Sequence, residues 1–154
     1  MADTYEDRVG YWIVKLSKAM DVLRQRKLRP LGLHRGQAAV LWQLRHGDGL
    51  SQIELADRLE LTRASITSAL GRMEDAGWVS RDRDPDDRRL LRVRLTAQGK
   101  RLVERLSDVL DEMEEELTFG MKSAAIEQAV EAMRAIHCSL KAAGQEGEPH
   151  DEVS

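Results

Sequence analysis

Residues 51–95, SQIELADRLELTRASITSALGRMEDAGWVSRDRDPDDRRLLRVRL, decide the fold. The first four form a capping box: Ser51 can accept from a first-turn amide while Glu54 reaches back, which predicts a short helix. Thr62 is a good N-cap for a second helix, and Gly77 is a good stop for it. Two helices joined by a tight turn predict a helix-turn-helix.

The period of the sequence changes after Gly77. Residues 78–83 and 91–95 alternate, and the charged segment Asp84-Pro85-Asp86-Asp87-Arg88-Arg89 separates them, which is typical of a β-hairpin. A helix-turn-helix that is followed by a hairpin is a winged helix-turn-helix.

The flanking segments have helical periodicity. Apolar residues recur every three or four positions over 9–23, 102–117 and 126–140, and 38–44 is a shorter apolar segment. The predicted order is helix, helix, short helix, helix, hairpin, long helix, helix. The predicted fold class is therefore mainly α (α+β), a winged helix-turn-helix with additional N- and C-terminal helices.

Composition and motifs argue against several classes of protein. The 154 residues suit one domain, and a single cysteine allows no intrachain disulfide. No apolar run approaches the roughly 18 residues of a membrane span, and residues 1–8 lack a signal-peptide core. The four histidines share no metal-ligand spacing, and there is no phosphate loop or nucleophile elbow. We expect a cytoplasmic protein that is not an enzyme, with no metal, cofactor or membrane partner.

Charge is distributed unevenly along the chain. Residues 61–101 hold ten basic and six acidic side chains, whereas residues 102–154 hold four basic and thirteen acidic ones. A local positive excess suits binding to nucleic-acid phosphates, although the net charge is −3. It also suits an ordinary solvated surface, and charge alone leaves both interpretations open.

The second helix of the pair has an outward stripe that is small and polar. With Ile66, Leu70 and Met73 turned inward, Ala64, Ser68 and Gly71 lie on the opposite side. Small residues let the backbone approach base edges in a major groove about 12 Å wide, although the same stripe would suit a seam against another helix. The adjoining hairpin favours DNA. The predicted contacts are Arg63, Ser65, Thr67, Ser68 and Arg72.

The hairpin tip is the second predicted DNA contact. Asp87 lies beside Arg88 and Arg89, and an arginine that is oriented by an acid suits insertion into a narrow minor groove. The alternative is a surface charge network of little energetic value. The strand arginines 81, 83, 92 and 94 could contact phosphates or could form a surface charge network, and the sequence favours neither interpretation. The start of the short helix at Ser51 could also bind a phosphate, but capping explains that residue by itself.

Five motifs occur in the order found in one family of regulators. They are residues 55–59 (LADRL), 65–67 (SIT), 73–81 (MEDAGWVSR), 86–89 (DDRR) and 95–99 (LTAQG). The chain resembles the MarR family of bacterial winged helix-turn-helix transcription regulators over residues 5–143. The resemblance implies a DNA-binding lobe at 31–95 and dimerisation helices at 5–29 and 96–143; we interpret 144–154 as a disordered tail.

The resemblance also implies a function. It implies a homodimeric regulator, here predicted to be a repressor, that binds double-stranded DNA at a pseudo-palindromic operator. A small aromatic or phenolic effector would release the DNA. Trp12, Met20 and Trp42 could line its crevice, but each is at least as well explained as ordinary core, so no ligand residue is assigned. In the family's wing, the Asp-x-Arg role falls on Asp87 and Arg89.

Two positions depart from the family's usual pattern. Glu60 stands where the turn commonly has glycine, and a left-handed backbone there would cost about 1 kcal/mol. His34 stands where Ser or Thr usually caps the second helix.

Two other functions stay open at this point. The winged helix could instead be a protein-interaction module, and Cys138 could make the chain a thiol-switched sensor, although a lone cysteine more often packs.

Overall fold

A computed structural model describes residues 4–46 and 49–145 of the chain. The chain divides into two compact units, residues 1–114 and 115–154. The helices are α1 (Val9–Leu28), α2 (Arg35–Leu44), α3 (Gln52–Leu59), α4 (Arg63–Asp75), α5 (Ala97–Thr118) and α6 (Ser123–Gln145). The strands are β1 (Leu50–Ser51), β2 (Val79–Arg83) and β3 (Leu91–Leu95). The predicted fold class, a mainly helical winged helix-turn-helix, is confirmed.

Local signals in the sequence place the helix ends. Ser51 Oγ accepts from Glu54 N at 3.1 Å, while Glu54 Oε2 accepts from Ser51 N at 2.7 Å, so the predicted capping box opens α3. His34 precedes α2, and its backbone N–H donates to Gln37 Oε1 at 3.0 Å. Thr96 opens α5, because its hydroxyl oxygen accepts from Gly99 N at 3.0 Å.

The sheet has one strand more than the predicted hairpin. β2 and β3 pair antiparallel with Val79 opposite Leu95, and β1 pairs antiparallel with β3 on its other edge, with Leu50 opposite Val93. A strand of two residues has no periodicity to detect, and its formation depends on a partner about forty residues away. The sequence signals at Ser51 therefore predicted only the helix that follows.

The core of the first unit lies between α2, α3, α4, the sheet and the first half of α5. The largest side chains that are fully buried there are Leu41, Leu44, Leu55, Ile66, Leu70, Met73 and Leu106.

Gly99 belongs to the LTAQG motif and lies where β2 begins beside α5. A Cβ atom at Gly99 would lie 2.0 Å from the carbonyl oxygen of Trp78. Thr96 binds the same segment, because its hydroxyl donates to the Gly77 carbonyl oxygen at 2.6 Å. The motif is therefore a packing contact in which only glycine fits at position 99.

The second unit contains the end of α5 and all of α6. No side chain of α6 at residues 123–143, the part whose exposure is described, is buried. α6 ends at Gln145, and the remainder of the predicted tail, residues 146–154, lies outside the described residues. Within the described residues, no helix combines the length and apolar character needed to cross a membrane.

Candidate nucleic-acid interface

α4 exposes the face that the sequence predicts for DNA contact. Its N-cap is Thr62, whose Oγ1 accepts from Ser65 N at 3.2 Å. Ile66, Leu70 and Met73 are buried, as their spacing predicted. The five predicted contact residues on this helix, Arg63, Ser65, Thr67, Ser68 and Arg72, are all exposed.

Hydrogen bonds on this face determine which hydroxyl group can still accept a hydrogen bond from DNA and which can still donate one. The Thr67 hydroxyl donates to the Arg63 carbonyl oxygen at 2.8 Å, which leaves the Thr67 oxygen to accept. Ser68 Oγ accepts from Arg72 Nη1 at 3.0 Å, and its own hydrogen remains a donor. Adjacent positions of α4 thus present one acceptor and one donor outward.

The wing, residues 84–90, is built around the carboxylate of Asp84. This side chain is only 5% exposed, and its Oδ1 accepts from the backbone N–H groups of Asp86 at 2.8 Å and Asp87 at 3.0 Å. The Asp87 N–H, the Arg92 guanidinium and the Asp86 N–H lower the pKa of Asp84 to about 2. Asp84 was not among the residues predicted from the sequence to form the interface, although an aspartate before proline at a turn is a signal for a side-chain-to-backbone turn.

Arg88 and Arg89 are exposed at the tip of the wing, and so is Asp87. Asp87 Oδ1 accepts from the backbone N–H of Arg89 at 3.0 Å. The sequence predicted that the acid would orient an arginine side chain, whereas the hydrogen bond in the structure is to the arginine backbone. It fixes the turn from which the Arg89 side chain projects.

The arginines of the strands separate into two groups. Arg81 forms an ion pair with Glu74, with Nε donating to Glu74 Oε2 at 2.9 Å, and this hydrogen-bonded guanidinium holds the pKa of Glu74 below its usual value. Arg92 forms ion pairs with Asp84 and Glu54. Arg83 and Arg94 are exposed. The charge-network interpretation therefore describes Arg81 and Arg92, and the surface charge is smaller than the count of arginines suggests.

The first unit also contains a cleft of about 580 Å³. Met20 and Trp42 line it, and the Arg45 guanidinium lies 3.3 Å from the centroid of the Trp42 ring. Trp12 lies outside the lining; it is 54% exposed and donates to the Glu6 carbonyl oxygen at 2.9 Å. Other lining residues come from α1, the turn between α3 and α4, and α5: Arg24, Leu28, Leu59, Leu61, Leu110 and Met113.

Arg24 and Arg35 place positive charge at the border of this cleft. Both also line a neighbouring open cleft of about 770 Å³. Asp21 Oδ1 lies 3.2 Å from Arg35 Nη1 and 3.6 Å from Arg24 Nη1, so a single carboxylate faces two guanidinium groups. This border suits an anionic group.

Side chains that could bind a metal or react as a thiol form no cluster in the described residues. In the described part of the chain no three His, Cys, Asp or Glu side chains converge as a metal site would require. Cys138 is a free thiol and is exposed on α6 rather than packed.

Comparison with known proteins identifies a family whose members resemble this arrangement. The model of the MarR family matches residues 33–91, from the start of α2 to the start of β3. A MarR transcriptional regulator from Methanosarcina mazei Go1 is 29% identical in sequence, with a TM-score of 0.74 over 86% of this chain and 97% of that one. Residues 33–91 therefore match the MarR family.

Two further proteins are similar to this chain. The uncharacterized HTH-type transcriptional regulator YdgJ of Bacillus subtilis (strain 168) is 37% identical over 73 residues, which are 47% of this chain and 44% of YdgJ. The chain therefore matches less than half the length of that curated relative. BpsR of Bordetella bronchiseptica, solved in work on regulation of its DNA binding by 6-hydroxynicotinic acid, shares the fold. It has 20% identity and a TM-score of 0.79, over 89% of this chain and 98% of that one.

The part matched by the MarR model contains α2, α3, α4 and the wing, and so all eight residues predicted to contact DNA. α1, α5 and α6 lie outside it. The functions of these outer helices, and of the cleft that α1 and α5 line together with α2, therefore rest on their own geometry.

Proposed function

We propose that this chain is a MarR-family protein: a homodimeric, sequence-specific DNA-binding transcription regulator of the cytoplasm, without enzymatic activity. It represses by binding a pseudo-palindromic operator, and a small aromatic or phenolic effector releases it. Residues 31–95 form the DNA-binding lobe, and residues 5–29 and 96–143 form the dimerisation helices.

The observation that carries the proposal is the selective exposure of positive and polar groups. Arg81 and Arg92 are neutralised by carboxylates within the chain, whereas Arg63, Arg72, Arg88 and Arg89 remain exposed on α4 and the wing. Between Arg63 and Arg72, the outward side chains of α4 are small or carry hydroxyl groups. A helix for the major groove and an arginine tip for the minor groove make a two-part DNA contact.

Exposed apolar surface supports the dimer. α1 exposes Trp12, Val14 and Leu16, and α6 exposes Met133 and Leu140, all by half or more. Soluble monomers rarely expose contiguous apolar patches of more than a few hundred Å². A two-fold dimer would place the two copies of α4 about one DNA turn apart.

The cleft supports the effector. Its volume lies within the range of small-molecule sites, and it combines an aromatic ring with cationic groups at its border. Leu59 and Leu61, on either side of the turn between α3 and α4, also line it. An occupant that prefers one arrangement of that turn would shift the population of DNA-binding dimers.

Selection of randomised duplex DNA by the purified chain tests the proposal. Enrichment of a pseudo-palindrome with half-sites about one helical turn apart is expected. If a folded dimer enriches no sequence, the proposal is wrong and the alternative, a protein-interaction module, takes its place.

Two pairs of variants then test the orientation of the interface. Ser68→Leu should weaken binding to the selected DNA by about 30-fold or more, because the larger side chain blocks approach to the groove, whereas Ser68→Ala should cost less than about 10-fold. Equal affinities of the two Ser68 variants would contradict the assignment of α4.

Arg89→Ala should weaken binding and make its salt dependence shallower. Arg101→Ala, which removes the same charge from α5, should do neither.

A further inference from the structure

The guanidinium of Arg92 joins the start of the wing to the segment around β1 and the first turn of α3, which lies about forty residues earlier in the sequence. Its Nη1 donates to the Gly49 carbonyl oxygen at 3.0 Å and to Glu54 Oε2 at 3.2 Å, and its Nε donates to Asp84 Oδ2 at 2.5 Å. Gly49 precedes β1, Glu54 belongs to the first turn of α3, and Asp84 begins the wing. One side chain thus connects the helix-turn-helix to the wing.

On the helix side, Arg92 shares an oxygen with the capping box. Glu54 Oε2 accepts both from the backbone N–H of Ser51 and from Arg92 Nη1. These groups help to hold the pKa of Glu54 below its usual value, the backbone N–H of Ser51 most strongly. The position of the Arg92 guanidinium is therefore tied to the start of α3.

On the wing side, Arg92 binds the carboxylate around which the tip is folded. The other oxygen of Asp84 accepts from the Asp86 and Asp87 amides, and the Leu90 N–H closes the tip by donating to the Asp87 carbonyl oxygen at 2.9 Å. Asp87 in turn accepts from the backbone N–H of Arg89. A continuous set of hydrogen bonds thus runs from α3 through Arg92 to the backbone of Arg89.

We propose that Arg92 is a positioning residue, which sets the place of the wing tip relative to the helix-turn-helix and thereby presents Arg89 to DNA. The inference rests on the proposed function. Arg92 acts through contacts within the chain: its Nε and Nη1 donate to Asp84, Gly49 and Glu54, and its side chain is about one-third exposed. Its neighbour Arg94 lies on the same strand and is exposed, which makes it a matched control.

A double-mutant cycle between positions 92 and 89 tests this assignment on the selected operator. If Arg92 acts through Arg89, Arg92→Ala and Arg89→Ala should each weaken binding by about 10- to 30-fold. The double variant should then be within about threefold of either single variant, because interacting residues give non-additive effects. Arg94→Ala should combine multiplicatively with Arg89→Ala. A multiplicative cycle for Arg92 would overturn the inference, because Arg92 would then act independently of Arg89.

Amide hydrogen exchange supplies a readout that does not depend on DNA. Exchange of the Asp86, Asp87 and Leu90 amides should be faster in Arg92→Ala and unchanged in Arg94→Ala. Unchanged exchange in Arg92→Ala would overturn the inference. Failure of the proposed function would give a different result. The original chain would then show no preference for any operator, while amide exchange in the wing would still be faster in Arg92→Ala.

Arg92→Lys covers the case in which Arg92→Ala does not fold. Lysine keeps the charge but lacks the planar fork that reaches Glu54 and Asp84 together. It should leave the thermal midpoint within a few degrees of the original while speeding exchange in the wing and weakening operator binding. Full operator affinity in Arg92→Lys would overturn the inference.

Discussion

Glu60 lies in a left-handed backbone conformation (φ 53°, ψ 41°) at the end of α3. The Leu61 N–H donates to the Ala56 carbonyl oxygen at 2.9 Å, and the Glu60 N–H donates to that of Asp57 at 3.2 Å, which is a Schellman motif. α4 ends in the same motif with Gly77 at the equivalent position (φ 74°). The two helices therefore end alike, but only α4 has the residue for which this conformation carries no steric cost.

Glu60→Gly should stabilise the chain. Removal of the steric cost of about 1–2 kcal/mol is partly offset by the greater freedom of glycine in the unfolded chain, so we expect the free energy of unfolding to rise by about 0.5–1 kcal/mol. Urea denaturation measures it. Glu60→Ala is the control, because it removes the same carboxylate but keeps the strained backbone; if both variants are equally stable, the strain at position 60 is no larger than the entropic cost of glycine.

At the scale of elements, the wing depends on an ionised carboxylate. The pKa of Asp84 is about 2 in the folded chain, against an ordinary value of 3.8. A carboxyl group whose pKa is lowered by folding stabilises the fold above its unfolded pKa, and this contribution is lost as the pH falls through the folded pKa. The hydrogen bonds of the wing therefore lose their contribution in acid.

Asp84→Asn should change the pH dependence of stability in that window. The difference in the free energy of unfolding between the original chain and this variant should be constant above about pH 5 and shrink between pH 4 and pH 2. Denaturation at a series of pH values measures the difference. Asp82→Asn, at an exposed position on β2, is the comparison, and the same shrinkage in that variant would show that Asp84 is not responsible.

Elements that are determined locally could be predicted from the sequence. The caps at Ser51, Thr62 and Thr96 lie within three residues of the amides they bind, so their spacing is enough to place α3, α4 and α5. β1 and the contacts of Arg92 with Gly49 and Glu54 could not be predicted, because they join segments about forty residues apart and depend on how the sheet packs. The predicted DNA contacts of α4 and the wing are exposed, but their roles stay predictions.

At the scale of the whole molecule, the proposed dimer would give a reason for α6. A helix of 23 residues with an apolar stripe and no buried side chain among residues 123–143 is stabilised little by its own chain. A second copy of the chain would supply the missing contacts.

Met133→Glu should dissociate the proposed dimer. Met133 is 56% exposed on the apolar face of α6, and a charge buried there in both copies should raise the dissociation constant by about 100-fold or more. Sedimentation equilibrium measures the change. Gln128→Glu, which adds the same charge to an exposed polar position of α6, should leave the dimer intact. A dimer that tolerates Met133→Glu unchanged would exclude this face from the interface.

The position of Trp42 has an optical consequence. Of the three tryptophans, Trp42 lines the 580 Å³ cleft, whereas Trp12 and Trp78 are not among its lining residues. A molecule bound there would replace the water around the Trp42 indole and disturb its stacking with Arg45. The intrinsic fluorescence of the unlabelled chain should therefore report occupancy of the cleft, and Trp42→Phe would identify the part of the signal that comes from it.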